Sequence, residues 1–340
     1  VNGDGKVDVI IGMDNFDSSN SDVGAVFVYH GASPLPSATH TWMARGNATY
    51  AHFGESVDGA GDVNGDGFDD IIVGAKNAYT SSNRDVFVWL GSSGGLGASG
   101  LPTNADWYGS TPYADEAPTS TVRGIGDVNG DGFDDILAGA HRYDGGVTDQ
   151  GAVFVWYGAS GGLGDPGTSV NADWSAASGQ ASAYFGYGVD GVGDVNGDGY
   201  ADIAVGAYGY DNPEASEGKV FVWHGSASGL GDLGTAANAD WSAETDVASA
   251  SMGYVVRAGG DMNGDGYADV LVTAYNYSGA ISQGGAWFVW NGSTSGLGDN
   301  GTPTNADVAQ YCNQATAFSG RDDAGAGDVN GDHLSHICVV

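Results

Sequence analysis

Asp62, Asn64, Asp66 and Asp70 place four side-chain oxygens within nine residues, at positions 1, 3, 5 and 9 of Asp62-Val63-Asn64-Gly65-Asp66-Gly67-Phe68-Asp69-Asp70. Alternate spacing lets a tightly wound loop turn these groups inward. Gly67 at position 6 permits the sharp bend, and the carbonyl of Phe68 at position 7 can join the set. Hard oxygen donors without His or Cys suit Ca²⁺ better than Zn²⁺ or copper, and Mg²⁺ demands a stricter octahedron. An EF-hand is excluded, because position 12, where that loop needs a bidentate Glu, is Val73. The apolar run Ile71-Ile72-Val73 reads as a buried strand, so the loop feeds a strand and not a helix.

The stretch returns as Asp127–Asp135, Asp194–Asp202 and Asp261–Asp269. A headless copy opens the chain with Asn2, Asp4 and Asp8, and a damaged one closes it at Asp328–His336. First residues lie 65, 67, 67 and 67 apart, a unit of about 66 residues, and a fixed period of this size means a repeat architecture. A single copy would pass for an Asp/Asn/Gly surface turn; four complete copies with donors in register point to cations.

The elements that must position these loops follow one order in every unit. A Gly-rich strand comes first (Phe53–Val57, Phe185–Val189, Met252–Val256). The loop and its buried strand follow, then a variable polar turn. An alternating strand is next: Val86–Trp89, Val153–Trp156, Val220–Trp223 and Trp287–Trp290. A last strand carries Asn-Ala-Asp-Trp at Asn104–Trp107, Asn171–Trp174 and Asn238–Trp241, losing its Trp in Asn305–Val308. Four short strands per unit predict an all-β fold: a β-propeller of four-stranded antiparallel blades, with about five units and partial ones at both ends. The predicted boundaries are 1–50, 51–115, 116–182, 183–250, 251–317 and 318–340. The Trp and Phe stripes fill the wedges between blades.

With 61 Gly and 41% hydrophobic residues, the 340-residue chain has material for a sizeable core built of strands and turns. Nine Lys and Arg against 43 acids give a net charge of −34, which argues against nucleic acid and anionic membranes as partners. No apolar stretch reaches membrane-spanning length. The chain begins inside a motif, so the protein's natural start is expected upstream. The two cysteines, Cys312 and Cys338, are expected to form a disulfide pinning the C-terminal end, with two free thiols as the alternative.

Phe-Gly, the Gly-Asp-Val-Asn-Gly-Asp-Gly-Tyr/Phe-x-Asp loop and Val-Gly-Ala, in fixed order along essentially the whole chain, resemble the FG-GAP repeats of the integrin α-subunit propeller and its bacterial relatives. The resemblance implies Ca²⁺ in the loop between the first two strands of a blade, on the rim opposite the ligand-binding face. Carried over, the side-chain ligands are Asp62, Asn64, Asp66 and Asp70; Asp127, Asn129, Asp131 and Asp135; Asp194, Asn196, Asp198 and Asp202; and Asp261, Asn263, Asp265 and Asp269. Phe68, Phe133, Tyr200 and Tyr267 would add backbone carbonyls. That makes about four good sites, with a possible fifth at an end. The third unit departs from the pattern, with Val122-Arg123-Gly124 for Phe-Gly. The last loop has His333 for Gly and His336 for the final Asp, so little or no binding is expected there. Family propellers usually have seven blades.

The segment around Phe318–Gly327 is expected to supply the missing first strand of the opening blade, and doing so in trans would polymerise the chain head to tail. The duplicated loop at the two ends equally fits a truncated larger propeller. Among seven scattered histidines, His30 and His224 sit where other units have Leu90, Tyr157 and Asn291, a pattern incompatible with catalysis. No nucleophile elbow or carboxylate dyad stands out. Asp17-x-Ser19-x-Ser21 matches a metal-dependent adhesion pattern but lies in a variable turn, and the sequons at Asn47, Asn276, Asn291 and Asn300 leave glycosylation open. The expected function is a non-enzymatic, extracellular or cell-surface recognition module binding a protein or glycan, with possible self-association. A filament or surface-layer subunit is the first alternative, and an accessory domain of a polysaccharide- or lipid-degrading enzyme the second.

Overall fold

The computed structural model describes residues 1–18, 20–32, 39–76, 85–110, 121–332 and 334–339. Among them all regular structure is β, arranged as small sheets in chain order. Blade 1 has three strands, Val9–Met13, Ala25–Tyr29 and Trp42–Arg45. Blade 2 comprises Ser56–Gly61, Asp70–Gly74, Val86–Trp89 and Trp107–Ser110. Blade 3 comprises Thr121–Gly126, Asp135–Ala140, Ala152–Trp156 and Trp174–Ala177. Blade 4 has Phe185–Gly193, Asp202–Ala207, Lys219–Trp223 and Trp241–Glu244. Blade 5 has Met252–Gly260, Asp269–Ala274, Ala286–Trp290 and Val308–Tyr311. A hairpin, Asp323–Gly327 with His336–Val339, ends the chain. This is the blade architecture of a β-propeller.

The chain falls into two compact units, one formed by 1–127, 131–140 and 154–175 and the other by 128–130, 141–153 and 176–340. Within each, the same devices join blade to blade. Outer-strand tryptophans meet the third-strand tryptophan of the following blade edge to face: Trp42 and Trp89 at 5.5 Å, Trp107 and Trp156 at 5.4 Å, Trp241 and Trp290 at 5.3 Å. Their indole N–H groups donate to carbonyls in the next blade, Trp42 to Ala98, Trp107 to Asp165 and Trp241 to Asp299. Trp89, Trp156, Trp223 and Trp290 are buried, as the alternating pattern requires. Phe53 packs on Phe87 and Trp89 and bridges back to Gly24 of the preceding blade, and Phe185 does the same towards Gly151. The Phe-Gly motif is thus a joint between blades.

Several expectations are corrected. Asn-Ala-Asp belongs to the turn and not to the last strand, which starts at the Trp. Asn104 accepts the amide of Leu101 and donates to Ser99, and Asp106 accepts the amide of Leu90, so these residues tie the turn to the end of the third strand. Blades 2 and 3 gain a fifth, parallel strand, as Gly167–Thr168 pairs with Gly109–Ser110 and Gly234–Thr235 with Ala176–Ala177. Asp323–Gly327 pairs with His336–Val339, the short Asp328–Ser335 loop joining its own two neighbours as the acidic loops of blades 2 to 5 do. Both cysteines are free thiols: Cys312 follows the outermost strand of blade 5, whereas Cys338 lies in the terminal hairpin.

Candidate metal centre

In blades 2 to 5 the acidic loop joins the first two strands of its blade and is wound by its own side chains. In blade 2, Asp62 accepts the amides of Asp66 (3.0 Å) and Gly67 (2.8 Å), Asn64 accepts that of Asp66 (3.0 Å), and Asp66 accepts that of Phe68 (3.0 Å). The pattern recurs around Asp194, Asn196 and Asp198 before Tyr200, and around Asp261, Asn263 and Asp265 before Tyr267. In blade 3, Asp127 accepts the amides of Asp131 and Gly132, and Asp131 that of Phe133. Asn129 occupies position 3 there. At the N-terminus, Asn2 accepts the amide of Asp4, and Asp4 accepts that of Lys6. The donors at positions 1, 3 and 5 are therefore brought together by backbone amides.

Position 9 has a different role. Asp70, Asp135, Asp202 and Asp269 begin the second strand and are fully buried. Asp70 accepts the amides of Val63 and Gly91, Asp202 those of Val195 and Gly225, and Asp269 those of Met262 and Gly292. Asp135 accepts the Gly158 amide, and Asp8 the Gly31 amide and the Val1 amino group. Burial pushes the Asp70 carboxyl up to about 7; the Val63 and Gly91 amides oppose this and the charges of Asp62 and Asp66 reinforce it. Asp202 is likewise raised to about 7, chiefly by burial, with Asp194 and Asp198 adding to it. In both blades the two oxygens of the buried carboxylate are each held by a backbone amide, and the neighbouring loop carboxylates act on it through their charge.

The last loop keeps its winding: Asp328 accepts the amides of Gly331 and Asp332, and Asp332 that of Leu334. Asp328, Asp332 and His336 bring one ligand atom each within 4.8 Å of one another, so the substitution at position 9 exchanges a carboxylate for an imidazole without dispersing the donors. His333 lies outside the described residues. So does Ser19 of the adhesion-like pattern; Asp17 accepts the amide of Asp22 and closes its turn, as Asp144 does for Asp149. The sequence reading missed how consecutive loops interlock. A methyl group on Gly3 would meet the ring of Phe68, on Gly65 that of Phe133, on Gly130 that of Tyr200 and on Gly197 that of Tyr267.

A second feature escaped it too. At the far end of blades 4 and 5, Tyr187 and Tyr254 share a 2.8 Å hydroxyl hydrogen bond, Tyr208 stacks on Tyr184 at 4.9 Å, and Tyr275 lies 4.3 Å from Tyr254. All five are half-buried, and burial raises Tyr208 to about 12. The signal was present: tyrosines recur 67 residues apart after Phe/Met-Gly and after Gly/Thr-Ala.

The fold and these loops define a β-propeller built of FG-GAP repeats. The FG-GAP repeat model matches residues 53–90, 124–156, 185–223 and 252–289, and the chain belongs to the FG-GAP, integrin α-like family. It is 32% identical over 191 residues to integrin alpha-5 of Xenopus laevis, covering 54% of this chain and 17% of that protein. It is 31% identical over 221 residues to integrin alpha-V of Gallus gallus (62% and 19%) and 36% identical over 149 residues to integrin alpha-6 of Homo sapiens (43% and 11%). The chain thus matches less than a fifth of the length of these relatives.

Proposed function

We propose that this protein is a secreted or cell-surface recognition module, non-catalytic and held together by Ca²⁺ in its four complete loops. The ligand ions would be held by the side chains at positions 1, 3, 5 and 9, with the carbonyls of Phe68, Phe133, Tyr200 and Tyr267. The tyrosine cluster carries the recognition part of this reading. It lies at the opposite end of the strands from the acidic loops and offers half-exposed aromatic faces with hydroxyls, surfaces suited to protein or glycan contacts. Membership of the integrin α-like family supports the same class of function.

The test is an array of glycans and extracellular matrix proteins probed with the purified chain, in millimolar Ca²⁺ and in chelator. A calcium-dependent hit weakened by Tyr208→Ala or Tyr275→Ala is expected. A blank array from folded protein would overturn the reading. One observation favours a structural subunit instead: Val9, Ile11 and Met13, on one face of Val9–Met13, are exposed. Native mass distinguishes the two, since discrete monomers at high concentration remove the filament reading.

A further inference from the structure

Three acidic side chains converge in blade 4, well away from its acidic loop. Glu214 and Glu217 lie in the turn between Asp202–Ala207 and Lys219–Trp223, and Asp246 lies in the turn after Trp241–Glu244. Pairing of Lys219 with Glu244 sets these two turns side by side. The loop Asp194–Ala201 joins the other end of the same sheet, so the cluster sits at the opposite end of the blade. One carboxylate oxygen from each of the three lies within 4.8 Å of the others.

Glu217 is 0% exposed. Its Oε2 accepts the Asp246 amide at 3.0 Å, and the Asn212 amide also faces the carboxylate, yet Oε1 has no hydrogen-bond partner. Glu214 Oε2 is also shielded and unpartnered. A buried carboxylate with an unsatisfied oxygen beside two further carboxylates is costly unless a cation joins them. The adjacent ammonium is already engaged, since Lys219 pairs with Glu244 at 2.7 Å and Asn212 donates to the same oxygen.

The repeats supply an internal comparison. Shifting by one period of 67 residues replaces Glu214 by Val147 or Ile281, Glu217 by Gln150 or Gly284, and Asp246 by Gly179 or Asn313. The three acids occur together in this blade and are absent from these positions in both neighbours, although the strands around them repeat closely. A blade of this shape forms without them, so they are not required by the fold.

We propose that Glu214, Glu217 and Asp246 hold a hard divalent cation, Ca²⁺, at the end of blade 4 opposite the repeated acidic loops. Three carboxylates supply oxygen ligands, and water completes the six to eight that Ca²⁺ takes. The ion would tie the two turns together.

The experiment counts bound ions by equilibrium dialysis at about 1 mM free Ca²⁺, the range typical of extracellular modules. Glu217→Gln is the variant of choice, because Gln150 occupies the equivalent position in blade 3. Wild type is expected to carry one more Ca²⁺ per chain than E217Q. In chelator, E217Q should melt at or above the wild-type temperature, having lost an uncompensated carboxylate, and it should gain less on Ca²⁺ addition. Asp246→Asn, at an exposed position, should also lose one ion and keeps the question decidable if E217Q fails to fold. Ion counts in the variants equal to wild type would overturn the proposal.

Discussion

The ring of Phe133 lies over Gly65, so the aromatic residue at position 7 of one acidic loop closes on the glycine at position 4 of the loop before it. The amide of Asp134 donates to the carbonyl of Asp62, and the Asp134 carboxylate accepts the Asp62 amide at 2.8 Å. The amides of Ala268 and Ser335 contact the carbonyls of Asp194 and Asp261 in the same way. The loops are therefore linked in series within each unit.

This linkage makes Gly65 and Gly67 unequal. Both have positive φ, 72° and 89°, but a side chain at Gly67 meets open space whereas one at Gly65 meets Phe133. Alanine at either costs about 1–3 kcal/mol in backbone strain. Gly65→Ala should lower the melting temperature further, and Phe133→Leu should recover part of that difference, as Leu334 already sits over Gly264. Thermal unfolding of the three variants checks this.

Chelation should lower the melting temperature, because an ion that binds only the folded loop stabilises by about 2.7 kcal/mol per site at 100-fold above its Kd. Asp198→Ala should remove part of the calcium-dependent increment. Asp332→Ala should remove less, because His336 leaves that loop one carboxylate short. Melting curves with and without chelator give both numbers, and equal losses would contradict the ranking.

In chelator, stability should fall as pH rises from about 4 to about 7. Asp70 and Asp202 hold their protons up to about 7 in the folded state, whereas an unfolded aspartate releases its proton near 4. Across that window the folded state binds more protons, so raising pH favours unfolding. Saturating Ca²⁺ should reverse the slope, since protons then compete with the metal. Melting temperatures at pH 5, 6, 7 and 8 in both conditions are the measurement.

Trp290→Ala should cost about 3–5 kcal/mol, since it deletes a fully buried ring between two blades. Val308→Ala, at a position 40% exposed, should cost within about 0.5 kcal/mol. Denaturant unfolding of both proteins tests whether the tryptophan stripe is core.

Period, strand order and the acidic loops were legible in the sequence because they are local. Oxygen donors at alternate positions, a glycine at the bend and an apolar run behind it are properties of nine to twelve consecutive residues, repeated often enough to exclude chance. The alternation of Val86–Trp89 likewise identified a strand with core-facing rings, which the buried tryptophans confirm. What tertiary structure decided involves residues brought together across the fold, several of them a full period apart. The closing of Phe133 on Gly65, the parallel strands added to blades 2 and 3, and the tyrosine stack each join neighbouring blades, and no local pattern encodes which side of a blade meets the next. Pairing of Asp323–Gly327 within the terminal hairpin and the separation of Cys312 from Cys338 were settled the same way, by loop length and sheet position. Glu214, Glu217 and Asp246 belong to this second category: they span 33 residues of chain, and only the pairing of Lys219 with Glu244 brings them together.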